Sequence, residues 1–301
     1  MGGMRIAVSG AGGLIGGALA ADLAGDGHEV VRLVRHAPKK AGEVRWDPDA
    51  GTVDVEGLAG CEAVVHLAGA AVGSRRWTDA RKKVLRDSRV KGTAAVARAA
   101  ASLPTPPSVL VCGSAIGYYG DTGDRWVDED GSRGEGFLAG LVADWEAAAD
   151  PAREAGIRTV HARTGLVVAR TGGAWAPLFP IFRAGLGGRL GSGDQYWSFI
   201  SLADEVAALR FLVDTPDLSG PVNLTAPEPL TNREITRAMG RVLRRPTLAT
   251  VPAPVLRAAL GEFAGDVLGS QRVRPRRLLE AGFTFGQPEI EEAIRAALSA
   301  P

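Results

Sequence analysis

Ser9-Gly10-Ala11-Gly12-Gly13-Leu14-Ile15-Gly16 follows the apolar run Arg5-Ile6-Ala7-Val8 and opens a helical pattern over residues 14–23. The order strand, glycine turn, helix gives each glycine a task. Gly10 permits the tight turn, Gly13 lets the backbone approach a pyrophosphate, and Gly16 lets the helix pack against the sheet. Free N–H groups at the helix start, those of Leu14 and Ile15 among them, then face the phosphates, reinforced by the helix dipole. Residues 5–35 therefore read as a Rossmann-type half that binds a dinucleotide cofactor.

Outward from this turn, short apolar runs alternate with alanine-rich helical stretches. Strands are expected at residues 5–8, 29–34, 63–67, 108–112 and 159–163, and helices at 14–23, 79–101 and 138–155. Nearly continuous apolar character suits strands covered on both faces, so the first half predicts an α/β, doubly wound parallel sheet. After Val168, Gly and Pro thicken and the rhythm becomes irregular. Helices are expected again at residues 202–213, 232–243, 254–263 and 289–298, with Thr231 and Glu234 forming a capping box. The reading is a dinucleotide-binding domain over residues 1–168 and a smaller, α-rich C-terminal substrate lobe over 169–301. The two are packed together, with strands free to cross between them.

The bulk numbers narrow the partners. The 301-residue chain has a net charge of +1, which supplies no field for a polyanion, so nucleic acid is not expected. No apolar run approaches the roughly 20 residues of a membrane helix, and no membrane partner is expected. Residues 4–8 read as a strand, not an export signal, and Met1-Gly2 makes no myristoylation site because Ile6 stands where Ser or Thr is wanted. Cys61 and Cys112 lack ligand spacing and read as buried small hydrophobes in a reducing compartment. A cytoplasmic protein without a bound metal is expected.

Position 35 bears on the cofactor. An NAD site places an acid at the end of the second strand to hold the ribose hydroxyls. Here Val34-Arg35-His36 offers no carboxylate, and an arginine can pair with a 2′-phosphate. NADP(H) is the expected cofactor; a solvated loop arginine is the alternative.

His66-Leu67-Ala68-Gly69, Val90-Lys91-Gly92-Thr93 and Tyr119-Gly120-Asp121, taken with the glycine pattern, resemble the extended short-chain dehydrogenase/reductase superfamily. Trp46-Asp47-Pro48, residues 114–120, Asp144-Trp145-Glu146 and residues 271–278 resemble, more narrowly, its sugar-nucleotide-epimerase-like branch of epimerase-family proteins. The likeness runs from Met4 to about Leu298. It implies that Leu67, Ala68 and Gly69 line the adenosine side of the cofactor. It also puts Arg89 where an asparagine is common, within reach of a cofactor phosphate or ribose; a helix-surface arginine is the alternative.

The catalytic motif departs from the family pattern. Active relatives carry Tyr-x-x-x-Lys, the lysine lowering the tyrosine pKa for proton exchange with the substrate. Counting back from Glu146 puts Leu138 and Val142 in those places, and sliding by one residue gives Phe137 and Leu141. None of these can exchange a proton. Ser114, Tyr118 and Tyr119 are the substitute candidates, with loop packing as their alternative. The acids Asp128-Glu129-Asp130 are expected in a solvated loop, the arginines 272, 274, 276 and 277 on a solvated or salt-bridged face, and His161 in a strand core or edge. The residues support an NADP(H)-dependent oxidoreductase or epimerase acting on a small hydroxy or keto compound or a nucleotide sugar. A cofactor-binding regulatory protein that has lost the chemistry stands beside it. Oligomeric state is not addressed by the sequence.

Overall fold

A computed structural model describes residues 3–300, and Met1 and Gly2, with the myristoylation reading, lie outside it. Along the chain lie β1 (Arg5–Ser9), α1 (Leu14–Gly25), β2 (Glu29–Val34), β3 (Glu43–Asp47), β4 (Thr52–Val53) and β5 (Ala63–His66). Then come α2 (Asp79–Ala101), β6 (Val109–Ala115), α3 (Phe137–Ala147), α4 (Asp150–Glu154), β7 (Arg158–Thr164) and β8 (Leu166–Val168). The second half holds α5 (Leu178–Arg183), β9 (Gly188–Leu190), β10 (Tyr196–Trp197), β11 (Phe199–Ser201), α6 (Leu202–Asp214), β12 (Gly220–Leu224) and β13 (Leu230–Thr231). It ends with α7 (Asn232–Leu243), β14 (Ala249–Val251), α8 (Ala253–Leu260), α9 (Ala264–Leu268), α10 (Arg276–Glu280) and α11 (Ile290–Ser299).

Eight strands form one sheet in the order β12-β7-β6-β5-β1-β2-β3-β4, parallel throughout except for the antiparallel β3–β4 edge. The chain leaves β1 toward β2 and β3, then returns to the other side at β5. That reversal places the glycine turn and the loop after β5 side by side, at the switch point where such sheets bind ligands. The sheet is covered on both faces. Ile6 and Val8 face a core with Leu19 and Leu23 of α1 and Leu209 and Leu212 of α6, while Ala7 faces the opposite core with Val96 and Ala100 of α2. The period-two alternation of β1 is thus a division between two buried layers, both apolar.

Several elements differ from the sequence reading. The edge strands β3 and β4 were not expected, because their short runs alternate with charges. The helix expected over residues 138–155 breaks after Ala147 and restarts with Pro151 at its first turn, where a proline is tolerated but a continuous helix is not. The helix expected to reach Phe263 ends at Leu260, and Gly261 follows at φ 64°. Beyond Val168 the chain sends β12 back to the large sheet, beside β7. It also forms three two-stranded sheets (β10-β13, β11-β8 and β14-β9) and a separate core around Trp175, Phe179, Met239 and Ile294.

One carboxyl is sealed where α6 meets the sheet. Glu205 is fully buried and accepts a 2.7 Å hydrogen bond from the Thr164 hydroxyl, while its other oxygen has no partner among the described residues. Burial pushes this acid up to about 8. The folded chain therefore holds a proton that the unfolded chain releases in the ordinary carboxyl range. The stability linked to that proton is full at low pH and is lost as pH rises toward 8. Thermal melts from about pH 5 to about pH 9 are expected to show Glu205→Gln gaining stability over the parent as pH rises; parallel melting curves would contradict this.

Candidate cofactor and substrate site

The turn after β1 is closed by the Gly13 amide donating to the Gly10 carbonyl at 2.8 Å. Gly10 has φ 71°, and a Cβ there would stand 3.0 Å from the backbone of Leu67 and Ala68. At Gly16 a Cβ would lie 2.3 Å from the Gly10 carbonyl oxygen, so no larger residue fits without moving the turn. Gly12 and Gly13 are exposed, with open space where a Cβ of Gly12 would be. The first helical acceptor, the Gly13 carbonyl, is taken by Gly17, leaving the amides of Leu14, Ile15 and Gly16 without intrahelical partners.

Ser9 ties this turn to the loop after β5. Its Oγ accepts from the Leu67 and Ala68 amides at 3.0 and 3.2 Å and lies 2.7 Å from His66 Nδ1. Burial brings His66 down to about 4, so the ring is neutral, and a single proton is shared between Ser9 Oγ and Nδ1. The loop continues over Ser88, whose hydroxyl accepts from the Ala70 amide at 3.1 Å. Arg89 donates to the Ala70 carbonyl at 2.9 Å and stacks 4.9 Å above the Trp145 ring. A Cβ on Gly69 would come within 3.3 Å of its guanidinium carbon. Burial, helped by the charge of Arg81, brings Arg89 down to about 10. Trp145 in turn donates its indole N–H to Thr93 at 2.9 Å. Arg35 follows β2 on the same edge of the sheet, exposed and with no ion-pair partner among the described residues.

At the ends of β6 and β7 the polar groups converge on one arginine. Arg163, 3% exposed, grips Glu146 with Nε and Nη2 at 2.7 and 2.8 Å, and its Nη1 donates to the Tyr119 hydroxyl at 3.0 Å. Ser114 donates to the same Glu146 at 2.7 Å, and the Tyr118 ring lies 3.6 Å beneath the guanidinium. Burial opposes the charge of Arg163, but the bonds and charge of Glu146 more than restore it and its pKa is raised. Tyr119 is buried, and its hydroxyl donates to Asn223 Oδ1 at 2.8 Å; burial pushes the phenol up to about 12 against the pull of Arg163. Tyr118 is half-buried and Ser114 is 5% exposed.

The positions vacated by the Tyr-Lys pair are apolar in space as in sequence. Leu138 lies 3.4 Å from where a Gly117 side chain would begin, and Val142 is 2% exposed. Trp77 packs edge-on to Phe137 at 5.1 Å and against Phe263 at 5.2 Å, roofing this floor with a residue from the C-terminal segment.

The acidic stretch is a solvated loop only in part, with Asp130 exposed and Glu129 buried. Glu129 is 4% exposed and accepts from the backbone amides of Asn223 and Arg277, and burial raises its pKa. Asp128 and Asp130 pair with Arg276, and Arg277 also donates to the Ser219 and Pro221 carbonyls. Arg272 is stacked between Trp126 and Tyr196, each 4.4 Å away. Loop and arginine cluster therefore clasp each other around β12, a pairing that local sequence does not reveal. Glu146, Arg163 and Asn223 were likewise not singled out as site residues. The available signal was Arg163 itself, a charge inside an apolar strand, which demands a buried partner.

These features define a dinucleotide-binding protein with a buried Arg163–Glu146 network beside an apolar patch at Leu138 and Val142. The chain matches the NAD dependent epimerase/dehydratase family over residues 6–224, and it belongs to that family. Residues 251–297 match a domain of unknown function, DUF1731. The chain is 48% identical to Epimerase family protein MT2273 of Mycobacterium tuberculosis, over 98% of each chain. It is 31% identical to Epimerase family protein YfhF of Bacillus subtilis, over 97% of each. Among solved structures it resembles human epimerase family protein SDR39U1 (isoform 2), determined with NADPH: TM-score 0.88, 32% identity, covering 99% of this chain and 100% of that one.

Ser9 joins the glycine turn to the loop after β5, so its loss strands buried amides. Ser9→Ala is expected to cost about 2 kcal/mol in urea unfolding and to speed hydrogen exchange at Leu67 and Ala68. Unchanged exchange at both amides would argue against this bridge.

Proposed function

We propose that the chain binds NADP(H) and is an oxidoreductase or epimerase acting on a small hydroxy or keto compound, nucleotide sugars included. The observation that carries the cofactor assignment is the bare glycine turn with Arg35 exposed on the neighbouring strand end, where no carboxylate stands. The α1 amides and dipole suit a pyrophosphate, and the Arg35 guanidinium suits a 2′-phosphate. The Leu67–Ala68–Gly69 backbone and Arg89 border the adenosine side. Support comes also from the human relative solved with NADPH. Bound there, the nicotinamide would give or take a hydride.

Ser114 spends its proton on Glu146, so its oxygen lone pairs are the groups left for a substrate hydroxyl. Glu146 is in turn fixed by Arg163, which makes Ser114 a positioned acceptor. Tyr118, half-buried against the same guanidinium, is the phenol with access to the cleft, whereas the Tyr119 hydroxyl is engaged at both Arg163 and Asn223. A cofactor-binding regulatory protein is the second reading, and Leu138 and Val142 favour it. Two buried free thiols suit a reducing compartment, and we place the protein in the cytoplasm.

Fluorescence titration is expected to show NADPH bound in preference to NADH, with Arg35→Asp moving the preference toward NADH. Equal binding of both by the parent would remove Arg35 from the assignment. In a carbonyl screen followed by NADPH absorbance, Ser114→Ala is expected to lower kcat about a hundredfold. Tight NADPH binding without turnover of any compound would favour the regulatory reading.

A further inference from the structure

Charge in this chain balances overall but not locally. Residues 171–193 contain Arg183 and Arg189 and no acid, and residues 235–261 contain Arg237, Arg241, Arg244, Arg245 and Arg257 and no acid. The fold brings the two stretches together. β9 pairs with β14, Arg245 Nε donates to the Arg183 carbonyl at 2.9 Å, and a Cβ on Gly185 would stand 3.8 Å from Pro246. All seven arginines are exposed, and only Arg241 forms an ion pair among the described residues, with Glu291.

The three most exposed large hydrophobic residues among the described residues, Leu248, Leu186 and Val255, lie in these same two stretches. Leu248 is 93% exposed and Leu186 71%, with Val255 and Ile181 at 54% and 46%. Leucines so fully exposed are tips, not the walls of a groove. Solvent-facing leucines among arginines that, Arg241 aside, form no ion pair among the described residues gain nothing from water. They gain from a surface that offers negative charge outside and hydrocarbon just beneath it.

We propose that this face, built from α5, the β9–β14 pair and the start of α8, docks on an anionic lipid surface, with Leu186 and Leu248 entering the headgroup boundary. A second copy of the chain is disfavoured, because an isologous contact would set arginine against arginine. The exposed apolar side chains are aliphatic, so nucleic acid finds no base-stacking platform here. The expectation of no membrane partner rested on the lack of a spanning run, and peripheral docking needs none. The face does not include the glycine turn, so its test is independent of the cofactor reading.

The test is flotation of the full chain with vesicles of phosphatidylcholine alone and of phosphatidylcholine mixed equally with phosphatidylglycerol. Binding is expected to the mixed vesicles at low salt, to fall as salt rises, and to be absent with phosphatidylcholine alone. Arg183→Ser with Arg257→Ser is expected to weaken binding at least about tenfold, and Leu186→Ser with Leu248→Ser to weaken it further at high salt. Circular dichroism and Tm confirm that both double variants fold. Failure of the parent to float with mixed vesicles at low salt overturns the proposal, as does undiminished binding by both variants. Retention on polyglutamate or RNA without vesicle binding overturns it as well, assigning the face to another class of partner.

Discussion

The bidentate pairing of Arg163 with Glu146 governs the far end of this fold. A guanidinium 3% exposed is tolerable only with its charge matched and its donors used, and here four groups share the task, two directly and two through them. Glu146 comes from α3, Tyr119 from the turn after β6, Ser114 from β6 itself and Asn223 from β12 by way of Tyr119. Strands that meet as neighbours in the sheet are thereby locked together at their carboxyl ends. Removing Glu146 alone would leave a buried charge without compensation, a far larger loss than the pair's net contribution.

The arrangement also decides which polar groups stand beside an apolar patch. Leu138 and Val142 put an apolar floor where the resemblance leads one to expect a Tyr-Lys pair, and Trp77, Phe137 and Phe263 extend it. The polar groups lie instead at the end of β6 and in the turn after it, where Ser114 reaches Arg163 through Glu146 and Tyr118 stacks on its guanidinium. Every oxygen of Glu146 is taken by Arg163 or Ser114, so the network is closed on itself.

The first turn and the far network are connected by the sheet, but they are built by different means. Near α1 the requirement is absence: glycines without side chains at φ 71° or within 2.3 Å of a carbonyl, and one serine hydroxyl serving two loop amides and a histidine. Around β12 the requirement is presence, with Glu129, Asp130, Arg276 and Arg277 drawing the 128–130 loop and the C-terminal segment around the strand returned from the second half.

The glycine turn, the buried strands β1, β2, β5, β6 and β7, and the helices α2 and α7 were legible in the sequence because each is specified locally. Glycine spacing, apolar runs and caps act over a few residues. The edge strands β3 and β4 were not legible, being short and charge-interrupted, nor was the return of β12, which depends on a partner sixty residues earlier. The apolar replacement of the Tyr-Lys pair could be counted from the sequence. The Arg163–Glu146–Ser114 network could not, because salt bridges and hydrogen bonds between distant elements leave no local pattern. Nor could the arginine face: its two acid-free stretches lie forty residues apart, and only the pairing of β9 with β14 makes them one surface.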